Sequence, residues 1–361
     1  MERLEYLVGS KNNIDHIFDA DVFTLEGSKD NIYLAHTTAE ELPVTFYVCQ
    51  PEEFGSKQFF YSASGGFLDV FLDKNQGLDF RNIPEEEIVF KKAGWKFLLP
   101  ELREKIHSDF DALSECTLIE DRDIRGVVHT HSTYSDGLHD LNEMVNHAMS
   151  LNYEYIVISD HSQSAFYANG LKPERVWEQM LEIDRLNANL NNFKVFKSIE
   201  SDILFDGNLD YQPDLLSKFD LVIASVHSIL NMDIEKATSR IIKAIENPFT
   251  TILGHPSGRL LLSRQGYPLD IKKVIDACAA NGVAIELNAN PWRLDLDWTC
   301  IPYALSKGVM ISINPDAHSK EGIKDIHFGV LAARKGGMTK ENCLNALTVE
   351  EFNRYCVNRK I

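Results

Sequence analysis

The chain has 361 residues and a mass of 41.0 kDa, enough for one large α/β domain with a smaller companion. Hydrophobic residues at 44% and charged residues at 25% exclude a mostly disordered chain, and no window reaches the roughly 18 apolar residues of a membrane span. The net charge is −18, and residues 1–120 hold 11 Lys and Arg against 23 Asp and Glu. That balance excludes a broad basic surface for gripping a duplex, so any nucleic-acid contact must be local.

In chain order, Met1-Glu2-Arg3-Leu4-Glu5-Tyr6 lacks the basic and apolar regions of a secretory signal, which predicts a cytoplasmic protein. Residues 1–95 read as a small α+β unit with short strands at 32–36, 44–48, 67–71 and 88–90, separated by Gly and acidic turns. Pro100 marks a turn or opens a short helix. Residues 118–123 read as a polar linker, and the domain boundary is expected between about 105 and 123. The assigned spans are 1–110 for the small domain, 111–123 for the linker and 124–361 for the large domain. Cys49, Cys116, Cys278, Cys300, Cys343 and Cys356 form no C-x-x-C pair and are expected to be reduced packing residues.

From Ile124 onward, apolar runs alternate with helical segments as repeated β-α units. Strands are predicted at 126–128, 155–158, 195–199, 221–224, 251–253, 283–287 and 309–313. Helices are predicted at 141–151, 174–190, 234–246, 271–280 and 302–307. Seven strands favour a barrel over an open sheet. After the first strand come His129, His131 and Asp136; after the second, Asp160 and His161; at the third, Glu200; after the fourth, His227; after the fifth, His255; after the seventh, Asp316 and His318. Loops at the C-terminal ends of barrel strands share one mouth, so these residues are expected to converge there. Taken singly, each has a plain structural reading. His227 or His255 alone could be a hydrogen-bonded packing residue, Asp136 and Asp316 turn residues, and Glu200 with Asp202 a solvated edge. Jointly, the repetition at one end of nearly every strand points to a metal cluster. Imidazole and carboxylate together suit zinc, manganese or iron, and such ions serve phosphoester hydrolysis by activating water and neutralising phosphate oxygens.

These motifs resemble a known family. Residues 124–361 are similar to a PHP (polymerase and histidinol phosphatase) domain, in particular the one at the C-terminus of bacterial family X DNA polymerases. The matching segments are His129-Thr130-His131-Ser132-Thr133-Tyr134-Ser135-Asp136-Gly137, Ser159-Asp160-His161-Ser162, Ile199-Glu200-Ser201-Asp202-Ile203, Ser225-Val226-His227-Ser228, Gly254-His255-Pro256-Ser257-Gly258-Arg259, Asn288-Ala289-Asn290-Pro291-Trp292-Arg293 and Asn314-Pro315-Asp316-Ala317-His318. The resemblance implies a distorted seven-stranded (β/α) barrel preceded by a small α+β domain, with two or three divalent ions. One ion would take His129, His131, Glu200 and Asp316; a second would share Glu200 and add His227 and His255; a third would take Asp136, His161 and His318. Pro315 departs from the Thr usual in such polymerases. Asp160 would orient a ligand, with His161 assisting the leaving oxygen, and Arg259 and Arg293 are candidate phosphate contacts.

Further upstream, Pro51-Glu52-Glu53-Phe54-Gly55-Ser56-Lys57 and Phe59-Phe60-Tyr61-Ser62-Ala63-Ser64-Gly65 resemble the end of a polymerase palm and its thumb. Leu99-Pro100-Glu101-Leu102-Arg103-Glu104 resembles the segment that joins the thumb to the PHP domain. In that register, Thr45 stands where the polymerase has its third metal-binding aspartate, so no templated synthesis is expected. The implied activity is hydrolysis of a phosphorylated substrate, a DNA single strand or 3′ end, with no membrane partner. A phosphatase of a small metabolite and a non-catalytic, metal-stabilised binding protein are the alternatives.

Overall fold

A computed structural model describes residues 3–12, 14–15, 18, 21–104 and 115–358. Two compact units result, Met1–Cys116 and Thr117–Ile361. Of the segment expected to hold the domain boundary, residues 105–114 lie outside the described residues.

The first unit is built on a four-stranded sheet of β1 (Leu4–Gly9), β2 (Phe23–Lys29), β3 (Ile32–Thr37) and β4 (Pro43–Cys49), in the order β1-β4-β3-β2. Only β1 and β4 run parallel. β1 and β2 were not predicted. β2 is almost wholly exposed and lacks the alternation of a half-buried strand. The segments 67–71 and 88–90, predicted as strands, are helical, within Gly65–Lys74 and Glu86–Ala93. Phe67 and Phe71 are one helical turn apart and both fully buried, while Ser64 caps the helix by accepting a hydrogen bond from the Phe67 amide at 3.1 Å. Gly94, in the left-handed region, ends the other helix. Pro100 opens a single 3-10 turn, Pro100–Leu102.

Seven parallel strands form the second unit: β5 (Gly126–Thr130), β6 (Tyr155–Ile158), β7 (Lys194–Asp202), β8 (Leu221–Ser225), β9 (Ile252–Leu253), β10 (Ala284–Asn288) and β11 (Ile311–Asn314). They pair in sequence order, and the ring is nearly closed where Thr130 bridges Ala317. Asn345 seals the seam between β5 and β11. Its amide donates to the Ile313 carbonyl at 2.9 Å and the Gly126 carbonyl at 3.2 Å, while its side-chain oxygen accepts from the Ile313 amide. The segment read as a polar linker is partly core, since Leu118 and Ile119 are buried and Ile119 packs into the outer apolar layer.

Strand alternation divides the residues between two layers. Val195 and Ile199 of β7 face the surrounding helices, whereas Phe196, Ser198, Glu200 and Asp202 follow each other at the strand period toward the interior. At the N-terminal end the interior is apolar, with Val128, Tyr155, Val157, Phe196, Leu221 and Ile223 closed off by Phe352 of the last helix, Val349–Asn358. Tyr155 stacks on Phe352 at 4.6 Å between ring centroids. Gly126 is required beside this plug, because a Cβ there would lie 2.0 Å from the Tyr155 ring. Toward the C-terminal end the interior turns polar.

Candidate metal centre

On β5 the alternation breaks by one residue. The register shifts between Val127 and Thr130, and His129 takes φ +67°, a left-handed conformation uncommon outside glycine. The bulge lets Val128 fill the apolar floor while His129 still enters the polar half, followed by His131, and the two rings lie 5.2 Å apart. Asp316, after β11, also has positive φ, at +51°. Backbone strain of about 1–3 kcal/mol per residue persists where surrounding structure fixes it, and here it aims two candidate ligands inward.

Glu200 is the hub. Its Oε1 lies 3.3 Å from His129 Nε2, 3.1 Å from His227 Nε2 and 3.0 Å from His255 Nε2, and its Oε2 lies 2.9 Å from His161 Nδ1. Asp316 Oδ1 lies 3.1 Å from His131 Nε2 and 3.5 Å from His129 Nε2. Asp136 Oδ1 lies 3.3 Å from His318 Nε2 and 3.7 Å from His161 Nε2. Three groups of side chains bring ligand atoms close enough to share an ion: His131, Asp136, His161 and His318; His129, His131 and Asp316; and His161, Glu200 and His227. All nine candidate ligands therefore converge, with His131 and His161 each belonging to two groups. His255 meets the cluster through Glu200.

Burial and charge explain the protonation of this site. Burial pushes the His131 imidazole down to about 3, reinforced by the neighbouring His318 and His161, so it is a neutral ring able to act as a ligand. Burial alone would raise the Glu200 carboxyl, but His227, His129 and His161 outweigh it and hold the group well below the usual carboxylate range. Five of the nine buried side-chain atoms without a hydrogen-bond partner among the described residues are here: His129 Nε2, His131 Nδ1, His161 Nδ1, His255 Nδ1 and Glu200 Oε2. His161 Nδ1, His129 Nε2 and Glu200 Oε2 still face opposite partners at 2.9–3.3 Å, whereas a buried polar atom left with no partner costs about 1–3 kcal/mol. Imidazole and carboxylate donors left open in this way fit divalent ions.

Two buried carboxylates complete the site. Glu286, in the middle of β10, holds His129 Nδ1 at 2.6 Å and accepts from the His255 amide at 3.0 Å and from Asn314 Nδ2 at 2.8 Å. It was overlooked in the sequence, although a Glu inside a strand buried on both faces is itself a signal. Asp202, for which a solvated edge was the plain alternative, is buried and bonded to His227 Nδ1. Each of these carboxylates fixes which ring nitrogen points inward. Replacing Glu286 with Gln should weaken metal binding by about 10–100-fold, measured by competition with a chromogenic chelator; wild-type affinity would remove Glu286 from this role.

The remaining predicted residues have distinct surroundings. Asp160 is fully buried and accepts from the Ser132 amide at 2.8 Å, the Ser132 hydroxyl at 2.7 Å and Gln179 Nε2 at 2.6 Å. It braces the loop between His131 and Asp136. The Arg259 guanidinium is committed to the β10 loop, donating to the Arg293 carbonyl at 2.9 Å, to Asp297 at 2.5 Å and to the Leu294 carbonyl. Arg259 thus ties two loops together. Arg293 lies 3.5 Å from Asp316 and is partly exposed.

No family model matches the chain. Over 277 residues it is 40% identical to the DNA polymerase/3'-5' exonuclease PolX of Bacillus subtilis (strain 168), covering 77% of this chain and 49% of that protein. The chain thus spans about half the length of that relative. The match includes more residues than the second unit contains, so it extends into the first. A probable phosphatase of Thermoanaerobacter sp. (strain X514) is 28% identical over 236 residues, covering 59% of this chain and 93% of that protein. Among solved structures, a histidinol phosphate phosphatase from Lactococcus lactis, complexed with Zn, L-histidinol and phosphate, has a TM-score of 0.45 and 17% identity, covering 59% of this chain and 94% of that one.

Proposed function

The chain is a PHP-domain protein related to the bacterial family X DNA polymerases, and from that premise we propose that it is a metal-dependent hydrolase of phosphoesters at nucleic-acid 3′ ends. The observation that supports this reading is the convergence of six histidines with Glu200, Asp136 and Asp316 at one end of the barrel, with five of their buried atoms making no hydrogen bond. Two or three ions would be held by the three groups described above. When bound, they supply Lewis-acid polarisation of the phosphoryl oxygens and activation of water.

The chain's own residues do the rest. Glu286 and Asp202 hold the rings of His129 and His227 in the orientation a ligand needs. Asp160, by gripping Ser132 and Ser135, fixes the loop that carries Asp136. The partly exposed Arg293 guanidinium, 3.5 Å from Asp316, would bind a phosphate oxygen. The fully buried wall behind His129, His131 and His255 keeps bulk water from the inner face of the cluster.

A decisive experiment uses chelator-stripped protein reloaded with manganese or zinc, offered a 5′-labelled single strand and a panel of sugar and amino-alcohol phosphates. The strand should shorten from its 3′ end only after reloading. Turnover of the small phosphates alone would shift the assignment to a metabolite phosphatase. Turnover of neither, with the metal complement full, would indicate a non-catalytic binding protein.

A further inference from the structure

The barrel has two ends, and at the one that carries the metal centre large apolar side chains are exposed on loop after loop. Among the described residues, six consecutive loops leaving the C-terminal ends of β5 to β10 each present such a side chain to solvent: Leu138, Phe166 and Tyr167, Phe205, Ile229, Leu262 and Trp292. None of the loops that enter the strands from the opposite end carries one. Single exposed apolar residues on a surface need no explanation, but a collar confined to the mouth above the metal centre does.

The collar is held out by ordered backbone. Ile229 and Leu262 have φ of +55° and +62°, conformations that bulky side chains rarely adopt, and Leu262 is 92% exposed. Trp292 is fixed on both sides. Its amide donates to the Asn290 side chain at 3.0 Å, its carbonyl accepts from the Leu261 amide at 2.6 Å, and its ring stays in solvent. Phe166 and Tyr167 form a 3-10 turn with edge-to-face rings 6.1 Å apart, anchored where Asn169 donates to the Tyr134 and Ser135 carbonyls at 3.3 Å. Partial burial and the carboxylates of Asp202, Glu200 and Asp136 push the Tyr167 hydroxyl above its ordinary value.

We propose that Phe166, Tyr167 and Trp292 are positioning residues that stack on unpaired nucleobases and deliver the end of a single strand to the metal centre. The inference rests on the nucleic-acid reading given above and names how the strand is held. A flat aromatic face accepts any base and requires the base to be unpaired. With 54 acidic and 36 basic residues, the chain has few cations to spare for phosphates, so base stacking would have to carry a larger share of strand binding. A protein partner seated on the collar would close the mouth that the substrate must enter.

The test measures binding apart from turnover. The metal-loaded full chain and its variants Trp292→Ala, Trp292→Phe and Phe166→Ala/Tyr167→Ala are titrated against a fluorescein-labelled oligothymidylate, and 3′ shortening of the same strand is followed. Metal content equal to wild type confirms that each variant is folded. The alanine variants should raise Kd and KM by about tenfold or more, and Trp292→Phe should restore most of the loss. Between 50 and 200 mM salt, wild-type Kd should change by less than about tenfold, far below the roughly 10³–10⁵-fold change of a protein that grips by phosphate contacts. Strand shortening with Kd and KM unchanged in the alanine variants would overturn the collar and leave the nucleic-acid reading standing. Collar-dependent binding without shortening would uphold the collar and overturn the 3′-end reading. Neither binding nor shortening would overturn both.

Discussion

Glu200→Gln is expected to release metal from the barrel and lower phosphoester hydrolysis by about 10³-fold or more, equivalent to ~4 kcal/mol of transition-state stabilisation. Among the described residues, no other side chain lies within ion-pairing distance of five imidazoles, those of His129, His131, His161, His227 and His255. The amide keeps the shape of the carboxylate but removes its charge at a site where burial makes charge count most. It also presents an N–H donor toward nitrogens that must remain available to an ion. Each histidine individually touches one to three carboxylates, fewer than the five imidazoles around Glu200, so a single histidine substitution should lose less. Metal content by elemental analysis, set against hydrolysis of the labelled strand, checks the prediction. A Glu200→Gln protein with its full metal complement and an undiminished rate would remove Glu200 from the centre. Glu200→Asp, which keeps the charge and shortens the reach by one methylene, should fall between the two.

Why that hub was legible in the sequence, and other parts were not, is a matter of period and context. Each candidate ligand stands just after an apolar run, so one rule about barrel loops collected His129, His131, Asp136, His161, Glu200, His227, His255, Asp316 and His318 together. The strands themselves were marked by apolar runs, which a parallel sheet covered on both faces produces. Glu286 escaped because it lies within such a run and not after it, and its partner His129 is far away in sequence. The bulge at His129 was equally invisible, since nothing local to Val127-Val128-His129-Thr130 announces a left-handed residue. Arg259 shows the limit of local context. A guanidinium beside a ligand loop is a candidate phosphate contact, and only the fold reveals its bonds to two carbonyls and Asp297. In the first unit the short apolar runs at 67–71 and 88–90 fit either period. Tertiary burial of Phe67 with Phe71, and of Val89 with Phe90, settled them as helices.

The second large effect lies in that first unit and concerns stability. Arg103 is fully buried, which a charged side chain tolerates only when every donor is used. Its Nη1 donates to Glu86 Oε1 at 2.5 Å and to the Ser62 hydroxyl at 2.6 Å, while Nε and Nη2 both reach the Leu98 carbonyl. The guanidinium also lies over the rings of Phe90, Phe97 and Phe59, at 5.0, 5.5 and 5.7 Å. Glu86→Ala would leave this cation unpaired inside an aromatic core, and the expected destabilisation is about 3–5 kcal/mol. Arg103→Met should be of similar size, because it strands the buried Glu86 carboxylate. Removing both charges with Arg103→Met/Glu86→Leu should recover much of the loss, since the desolvation penalty disappears along with the attraction. Hydrogen exchange of the helices Phe54–Tyr61 and Glu86–Ala93 reads the effect within this unit. A double variant no more protected than either single one would show that the pair is not the element that holds these helices together. All nine candidate ligands belong to the other unit, so metal content should stay at the wild-type level in all three variants.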